Sequence, residues 1–127
     1  MNVAVLSLGS NSSDKELQMK NAIKQTTQIF DNVVVSEIYE EPAHNGIDAP
    51  YLNTVMVVST AMTIDEVNLL LKRWEIECGR TPELKQNGVV PIDLDIVMWN
   101  REVVRTVDYS RSYVSKGIAQ LLADLVK

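Results

Sequence analysis

The chain has 127 residues and a formal net charge of −5, because 17 Asp and Glu outnumber 12 Lys and Arg. This length suits one domain over 1–127 with its own core, and no apolar stretch approaches the roughly 18 residues of a membrane span. The acidic balance argues against a non-specific nucleic-acid binder, whose surface would carry a basic surplus, so neither nucleic acid nor membrane is expected as a partner.

The first two predicted elements are a strand and a helix. Asn2 to Ser10 is short, rich in Val and Leu, and passes through a glycine near its end, which favours a buried strand. Apolar residues then recur every three or four positions and predict an amphipathic helix at 14–30. Ser13 and Glu16 have the spacing of a capping box at its start.

Two further strands and an irregular loop follow the helix. The segment 33–39 has the β-branched density of a strand, and 51–61 resumes that character. The connection 40–50 contains two prolines and a glycine, so it predicts a loop rather than an element. We expect the two strands to pair with each other.

A second helix is predicted at 64–78. Thr63 and Glu66 form another capping-box pattern, and apolar positions mark one helical face as far as Gly79. The segment 80–88 is polar and contains a proline, which predicts a second loop.

The last predicted elements are a strand at 92–99, a short strand at 103–104 and a short helix at 118–126. The main order is therefore β-α-β-β-α-β. That order predicts an α+β fold of ferredoxin-like type, in which an antiparallel sheet carries both helices on one face.

The most informative polar residues are Asp93 and Asp95, which alternate with apolar residues in the strand 92–99. Residues two apart share a face of a strand, so both carboxylates point the same way. Carboxylate oxygens suit Mg²⁺, which takes one or two of them and completes its shell with water and substrate phosphates. A solvated strand face is the alternative interpretation.

Three weaker patterns accompany this pair. Gly9 to Asn11 precede a helix and fit either an anion site or a simple turn. Arg80 follows the second helix and fits either a phosphate or the helix dipole. Tyr51 and Asn53 share a strand face, as a platform and an amide that reads a flat heterocycle would.

The single histidine, His44, and the single cysteine, Cys78, argue against a His-dependent nucleophilic triad or a Cys/His zinc site. Cys78 lies on the apolar face of the second helix, where a core role is expected. One cysteine and the absence of a signal-peptide pattern favour a cytoplasmic location.

The ordered motifs resemble the 6-hydroxymethyl-7,8-dihydropterin pyrophosphokinase family. They are Leu8-Gly9-Ser10-Asn11, Tyr39-x-Glu41-Pro42, Tyr51-Leu52-Asn53, Glu75-x-x-x-Gly79-Arg80 and Ile92-Asp93-Leu94-Asp95-Ile96. The resemblance implies transfer of pyrophosphate from ATP to a pterin alcohol in folate biosynthesis, with release of AMP, by a short divergent member of the family. We expect a monomer, or a weak dimer if an edge of the sheet is exposed.

The resemblance also implies a role for each matching residue. Asp93 and Asp95 would hold two Mg²⁺ ions that bridge the ATP phosphates. Pro42, Tyr51 and Asn53 would form the pterin pocket, and the ATP side would include Glu75, Arg80, Ile96 and Tyr113. The loops 43–50 and 81–90 would close over the substrates.

The chain differs from the family pattern at several cationic and aromatic positions. Val90 and Pro82 stand where the family has arginine, Asn87 where it has tryptophan, and Ser112 where it has histidine. A second hypothesis is therefore a pterin- or nucleotide-binding or interaction domain without efficient catalysis. An unrelated regulatory domain of the same fold is a third.

Overall fold

The structure, a computed structural model, describes residues 1–43 and 46–104. The predicted helix at 118–126 and the predicted site residue Tyr113 lie outside the described residues. The elements in chain order are β1 (Asn2–Ser10), α1 (Lys15–Ile29), β2 (Asp31–Val35), β3 (Tyr39–Glu41), β4 (Tyr51–Thr60), α2 (Ile64–Glu77), α3 (Pro82–Gln86), β5 (Asp93–Trp99) and β6 (Glu102–Val103).

These strands form one antiparallel sheet in the order β2-β4-β1-β5-β6, with β3 also paired to β4. The predicted pairing of the second and third strands is confirmed. The four long strands have the order of a ferredoxin-like sheet, so the predicted α+β fold class is confirmed. The antiparallel arrangement places the C-terminal end of β1 beside the start of β5.

Both long helices pack against the same face of the sheet. Alternate residues of the strands, among them Leu6, Met56 and Ile96, face α1 and α2 and are buried. Met19 of α1 and Leu71 of α2 complete this core. The opposite face, called the outer face below, carries a smaller apolar cluster around Val55 and Val97.

The predicted single strand at 33–39 is divided into β2 and β3. Ser36 lies at the break, where its hydroxyl accepts a hydrogen bond from the Val55 amide at 3.0 Å and lies 3.0 Å from the Thr54 hydroxyl. A side chain thus takes the place of a backbone acceptor in the ladder. The prediction of continuous pairing was wrong for this reason.

The predicted capping box is present at the start of α2 and absent at the start of α1. Thr63 and Glu66 form the predicted reciprocal capping box. At α1 the N-cap is Asp14 and its side chain makes no capping bond, so the box expected from Ser13 was wrong. The Asp14 carboxylate accepts a hydrogen bond from the Ser12 hydroxyl at 2.6 Å instead.

The predicted loop at 80–88 contains the short helix α3. The Thr81 hydroxyl accepts a hydrogen bond from the Leu84 amide at 3.2 Å, and Pro82 occupies the first helical position. Proline is well tolerated there because that amide has no helical partner in any case. Among the described helices, none is long and apolar enough to cross a membrane.

Candidate active site

The candidate site is a row of residues that runs across four strands on the outer face. Tyr39 of β3 lies opposite Asn53 of β4, Asn53 lies opposite Gly9 of β1, and Gly9 lies opposite Asp93 of β5. Directly paired residues of antiparallel strands point to the same face. The register therefore brings an amide and a carboxylate to either side of a glycine.

Gly9 makes room for the Asn53 side chain at the centre of this row. A Cβ atom at this position would lie 2.5 Å from the Asn53 Oδ1 atom and 3.6 Å from the Leu52 carbonyl oxygen. A larger residue would displace the Asn53 side chain, which is itself 7% exposed. The glycine thus allows the Asn53 amide oxygen to lie against the backbone of β1.

Asp93 and Asp95 occupy adjacent rows of the same face, opposite Gly9 and Ser7 respectively. The Asp93 side chain is 43% exposed, whereas that of Asp95 is 10% exposed. Burial and the nearby negative charges of Asp95 and Glu75 raise the pKa of Asp93 to about 6, although Arg80 opposes the shift. The site therefore has an excess of negative charge that a cation would relieve.

The helix α2 reaches this pair around the edge of β5. The Leu94 amide donates to Glu75 Oε2 at 2.8 Å, and Lys72 Nζ donates to the Leu94 carbonyl oxygen at 2.9 Å. Two side chains three residues apart on one helix thus satisfy the backbone groups of Leu94, which precedes the part of β5 that pairs with β6. This explains why Glu75 is buried with its carboxylate fixed against the strand.

Two cations neutralise part of the acidic cluster. Lys72 Nζ lies 3.0 Å from Asp95 Oδ1 and 3.1 Å from Glu75 Oε2. Arg80 Nη1 lies 3.1 Å from both Glu75 Oε1 and Asp93 Oδ1. Burial lowers the pKa of Lys72, but the attraction of Asp95 and Glu75 outweighs it, and the net pKa is raised.

Asn11 joins the two loops that border the site. Its Nδ2 donates to the carbonyl oxygens of Gly88 at 2.7 Å and Ala49 at 3.3 Å, while its Oδ1 accepts from the Val90 amide at 2.6 Å. The polar atoms of Asn11 are therefore engaged with backbone. This geometry favours the turn interpretation of the Gly9 to Asn11 segment over an anion site.

The predicted site residues Tyr51, Pro42 and Ile96 lie outside the row. Tyr51 is half-buried opposite Glu41, and Pro42 is exposed directly after β3. The Ile96 side chain is buried in the core between sheet and helices, so only its backbone remains for a ligand on the outer face.

Sequence reasoning missed Lys72 as a site residue. Its position three residues before Glu75 was the available signal, since that spacing places both side chains on one helical face.

The donor set fits Mg²⁺ in its chemistry. Within residues 1–43 and 46–104, no group of three or more His, Cys, Asp and Glu side chains is placed to hold a metal ion. Asp93 and Asp95 share one face of β5 and would supply two carboxylates. Such a pair leaves coordination positions for water and phosphate, as Mg²⁺ prefers.

Comparison with known proteins gives a consistent family match. The model of the 7,8-dihydro-6-hydroxymethylpterin-pyrophosphokinase family matches residues 5–123. The chain is 31% identical to 2-amino-4-hydroxy-6-hydroxymethyldihydropteridine pyrophosphokinase of Bacillus subtilis, over 99% of this chain and 81% of that protein. It is 32% identical to the protein of the same name from Aquifex aeolicus, over 84% and 66% of the two chains.

A larger relative also matches. The mitochondrial folate synthesis bifunctional protein of Pisum sativum is 30% identical over 96% of this chain, which corresponds to 25% of that protein. The similar region is thus one part of that longer chain.

Proposed function

The chain belongs to the 7,8-dihydro-6-hydroxymethylpterin-pyrophosphokinase family, and from that premise we propose that it transfers pyrophosphate from ATP to 6-hydroxymethyl-7,8-dihydropterin in folate biosynthesis, with release of AMP. The observation that supports this best is the row on the outer face. It places an amide suited to a heterocycle two strands away from a carboxylate pair suited to metal-bound phosphates.

Asp93 and Asp95 are proposed to hold two Mg²⁺ ions together with ATP. Their shared face, the partial exposure of Asp93 and its raised pKa near 6 support this role. When bound, the ions would neutralise the phosphate oxygens and orient them. Lys72 and Arg80 contact these carboxylates directly and neutralise part of their charge in the absence of the ions.

The pterin is proposed to lie on the row at Gly9 and Asn53, where the absence of a Cβ atom at residue 9 lets the Asn53 amide lie against β1. The Asn53 amide can donate to and accept from the polar edge of that ring. Tyr51 would stack on it, and the segment around Pro42 would close the pocket. Tyr39, which lies beside Asn53 on β3, would form the outer wall.

The nucleotide is proposed to lie along the edge of β5 near the end of α2. Arg80 bridges Glu75 and Asp93 and so sits where a phosphate would approach the carboxylate pair. Its donors suit phosphate oxygens. Glu75, Tyr113 and the backbone at Ile96 would complete the ATP side.

The proposed reaction depends on how the pterin and ATP are aligned with each other. The hydroxymethyl oxygen of the pterin attacks the β-phosphorus of ATP, and AMP departs on the opposite side. Asn53 and the carboxylate pair set the distance between the two substrates because strands β4, β1 and β5 fix their spacing. The loops 43–50 and 81–90, joined through Asn11, are proposed to exclude water from the transfer.

The direct test is incubation of the purified protein with ATP, Mg²⁺ and 6-hydroxymethyl-7,8-dihydropterin. We expect AMP and the pterin diphosphate in equal amounts, measured by chromatography. A variant with both Asp93→Asn and Asp95→Asn serves as the blank. AMP at the level of that blank, from folded protein at high concentration, would contradict the proposal.

A second candidate function is binding of a pterin or nucleotide without efficient catalysis. Among the described residues, the cations seen in contact with the acidic cluster are Lys72 and Arg80. At Val90, where the family has arginine, the backbone is bonded to Asn11 and the side chain carries no charge. Calorimetric binding of ATP or pterin without any product would favour this candidate.

A further inference from the structure

Lys72 makes three contacts that together use the full donor capacity of an ammonium group. Its Nζ atom lies 3.0 Å from Asp95 Oδ1, 3.1 Å from Glu75 Oε2 and 2.9 Å from the Leu94 carbonyl oxygen. Asp95 and Glu75 are buried. The positive charge therefore lies against a carboxylate of the pair that the proposed function assigns to metal.

The Lys72 and Asp95 side chains differ in how far they can move. The Lys72 side chain is 40% exposed, and its long flexible stem can carry the charge into solvent. The Asp95 side chain is 10% exposed and sits on a strand paired on its inner side to β1. If a second cation enters, the lysine is thus the partner that can move.

Electrostatics favours such a movement. An ammonium 3.0 Å from Asp95 Oδ1 fills the position of a ligand on that oxygen, and a divalent cation at the same oxygen would repel it strongly. Arg80 does not contact Asp95 in this way, because its ion pairs are with Glu75 and Asp93.

We propose that Lys72 is an internal counter-cation, which positions Asp95 in the metal-free protein and is displaced from that carboxylate when a divalent ion binds. The proposal rests on the metal role assigned to Asp95 in the proposed function. Lys72 is here a positioning residue, since it acts through Asp95. Its removal should raise the metal affinity of the nucleotide-free protein, because the entering ion no longer competes with an ammonium.

The test is a Mn²⁺ titration of the nucleotide-free protein, with free Mn²⁺ measured by electron paramagnetic resonance. Lys72→Met and Lys72→Gln should bind Mn²⁺ about five to ten times more tightly than the unchanged chain, the range expected for loss of a partly exposed ion pair. Lys72→Arg keeps the charge and should retain the weaker affinity. Lys24→Met, which removes an exposed lysine of α1, is the matched control and should bind as the unchanged chain does.

A merely structural lysine predicts the opposite sign, because loosening Asp95 would weaken metal binding. Equal or weaker Mn²⁺ affinity in both neutral variants would therefore overturn the proposal. Lys72→Gln can still donate to the Leu94 carbonyl oxygen, so it keeps the test valid if Lys72→Met does not fold. Thermal unfolding in EDTA and in Mn²⁺ gives a second readout, in which both neutral variants should gain more from Mn²⁺ than the unchanged chain.

This outcome is independent of turnover. If no AMP forms but the neutral variants bind Mn²⁺ more tightly, the counter-cation proposal stands and the catalytic proposal fails. If AMP forms and the affinities are unchanged, only the role of Lys72 is refuted.

Discussion

The outer face of the sheet has two ends of opposite character, although the same three central strands build both. At one end Val5, Val55 and Val97 form an apolar cluster, with Val55 and Val97 fully buried. At the other end Asn53, Gly9 and Asp93 form the polar row. The change takes two residues on β4, from Asn53 to Val55, and four residues on β1 and β5.

The face toward the helices is apolar through the middle of β1. Its inward residues Ala4, Leu6 and Leu8 are buried in the core that contains both helices, and polar Asn2 and Ser10 lie at the two ends of the strand. Successive residues of a strand point to opposite faces of the sheet. The even-numbered residues of these strands therefore stabilise the fold, and the odd-numbered residues near the strand ends form the site. Changes at the polar row should affect chemistry, and changes one residue away should affect stability.

The largest effect is expected from Asp95→Asn. Loss of one of two proposed metal carboxylates should lower kcat/KM for AMP formation at least about a thousandfold, in line with the loss of a preorganised charge-stabilising group. Asparagine has nearly the same volume, so the fold should persist, as judged by circular dichroism. A variant with near-normal turnover would refute the assignment of Asp95.

A substitution on the opposite face of the sheet, at Leu6 of β1, should give the contrasting result. Leu6→Ala should reduce the free energy of unfolding by about 2–5 kcal/mol, because it leaves a cavity in the core. Urea unfolding measures this loss. Where the variant remains folded, its KM values should stay close to those of the unchanged chain, and a selective loss of substrate binding would break the separation of the two faces.

Arg80→Gln tests the link between helix α2 and the polar row. It removes the ion pairs to Glu75 and Asp93, and with them a donor proposed for phosphate. We expect kcat/KM to fall about a hundredfold. Arg73→Gln, which removes an arginine of α2 outside this cluster, is the control and should have little effect on turnover.

Gly9→Ala should act on the pterin alone. The added Cβ would displace the Asn53 side chain by contact with its Oδ1 atom. We expect KM for the pterin to rise about tenfold, the effect of roughly 1.4 kcal/mol, while KM for ATP changes little. An equal rise in both KM values would show that Gly9 shapes the whole site rather than its pterin end.

Much of this separation could be predicted from the sequence, since it depends on local pattern. Period-two alternation placed Asp93 and Asp95 on one face, and the Thr63 and Glu66 pattern located the start of α2. Features that depend on contacts between residues far apart in the sequence could not be predicted. The break at Ser36 depends on a hydroxyl 3.0 Å from Thr54, and the contact of Gly9 with Asn53 depends on a register between residues 44 positions apart.

Lys72 illustrates the same limit within the site. A lysine on an amphipathic helix is typical of a solvated surface, and nothing nearby in sequence indicates that Asp95, 23 residues later, is its partner. Thr81 and Pro82 illustrate a different error. The proline indicated a break, whereas the preceding threonine made it the first residue of α3.

The smallest expected effect concerns the pH dependence of stability without metal. Because the folded-state pKa of Asp93 is raised to about 6, the folded chain holds a proton that the unfolded chain releases near pH 4. The contribution of Asp93 to stability should therefore fall as pH rises from about 4 to 6, by less than about 1 kcal/mol after solvent screening of this partly exposed group. Urea unfolding in EDTA should show this loss in the unchanged chain and not in Asp93→Asn.

Saturating Mg²⁺ should reverse the sign of this pH dependence, since a bound cation favours the ionised carboxylate. If the dependence of the unfolding free energy on pH stays the same in Mg²⁺, that would argue against metal binding at the polar end of the outer face.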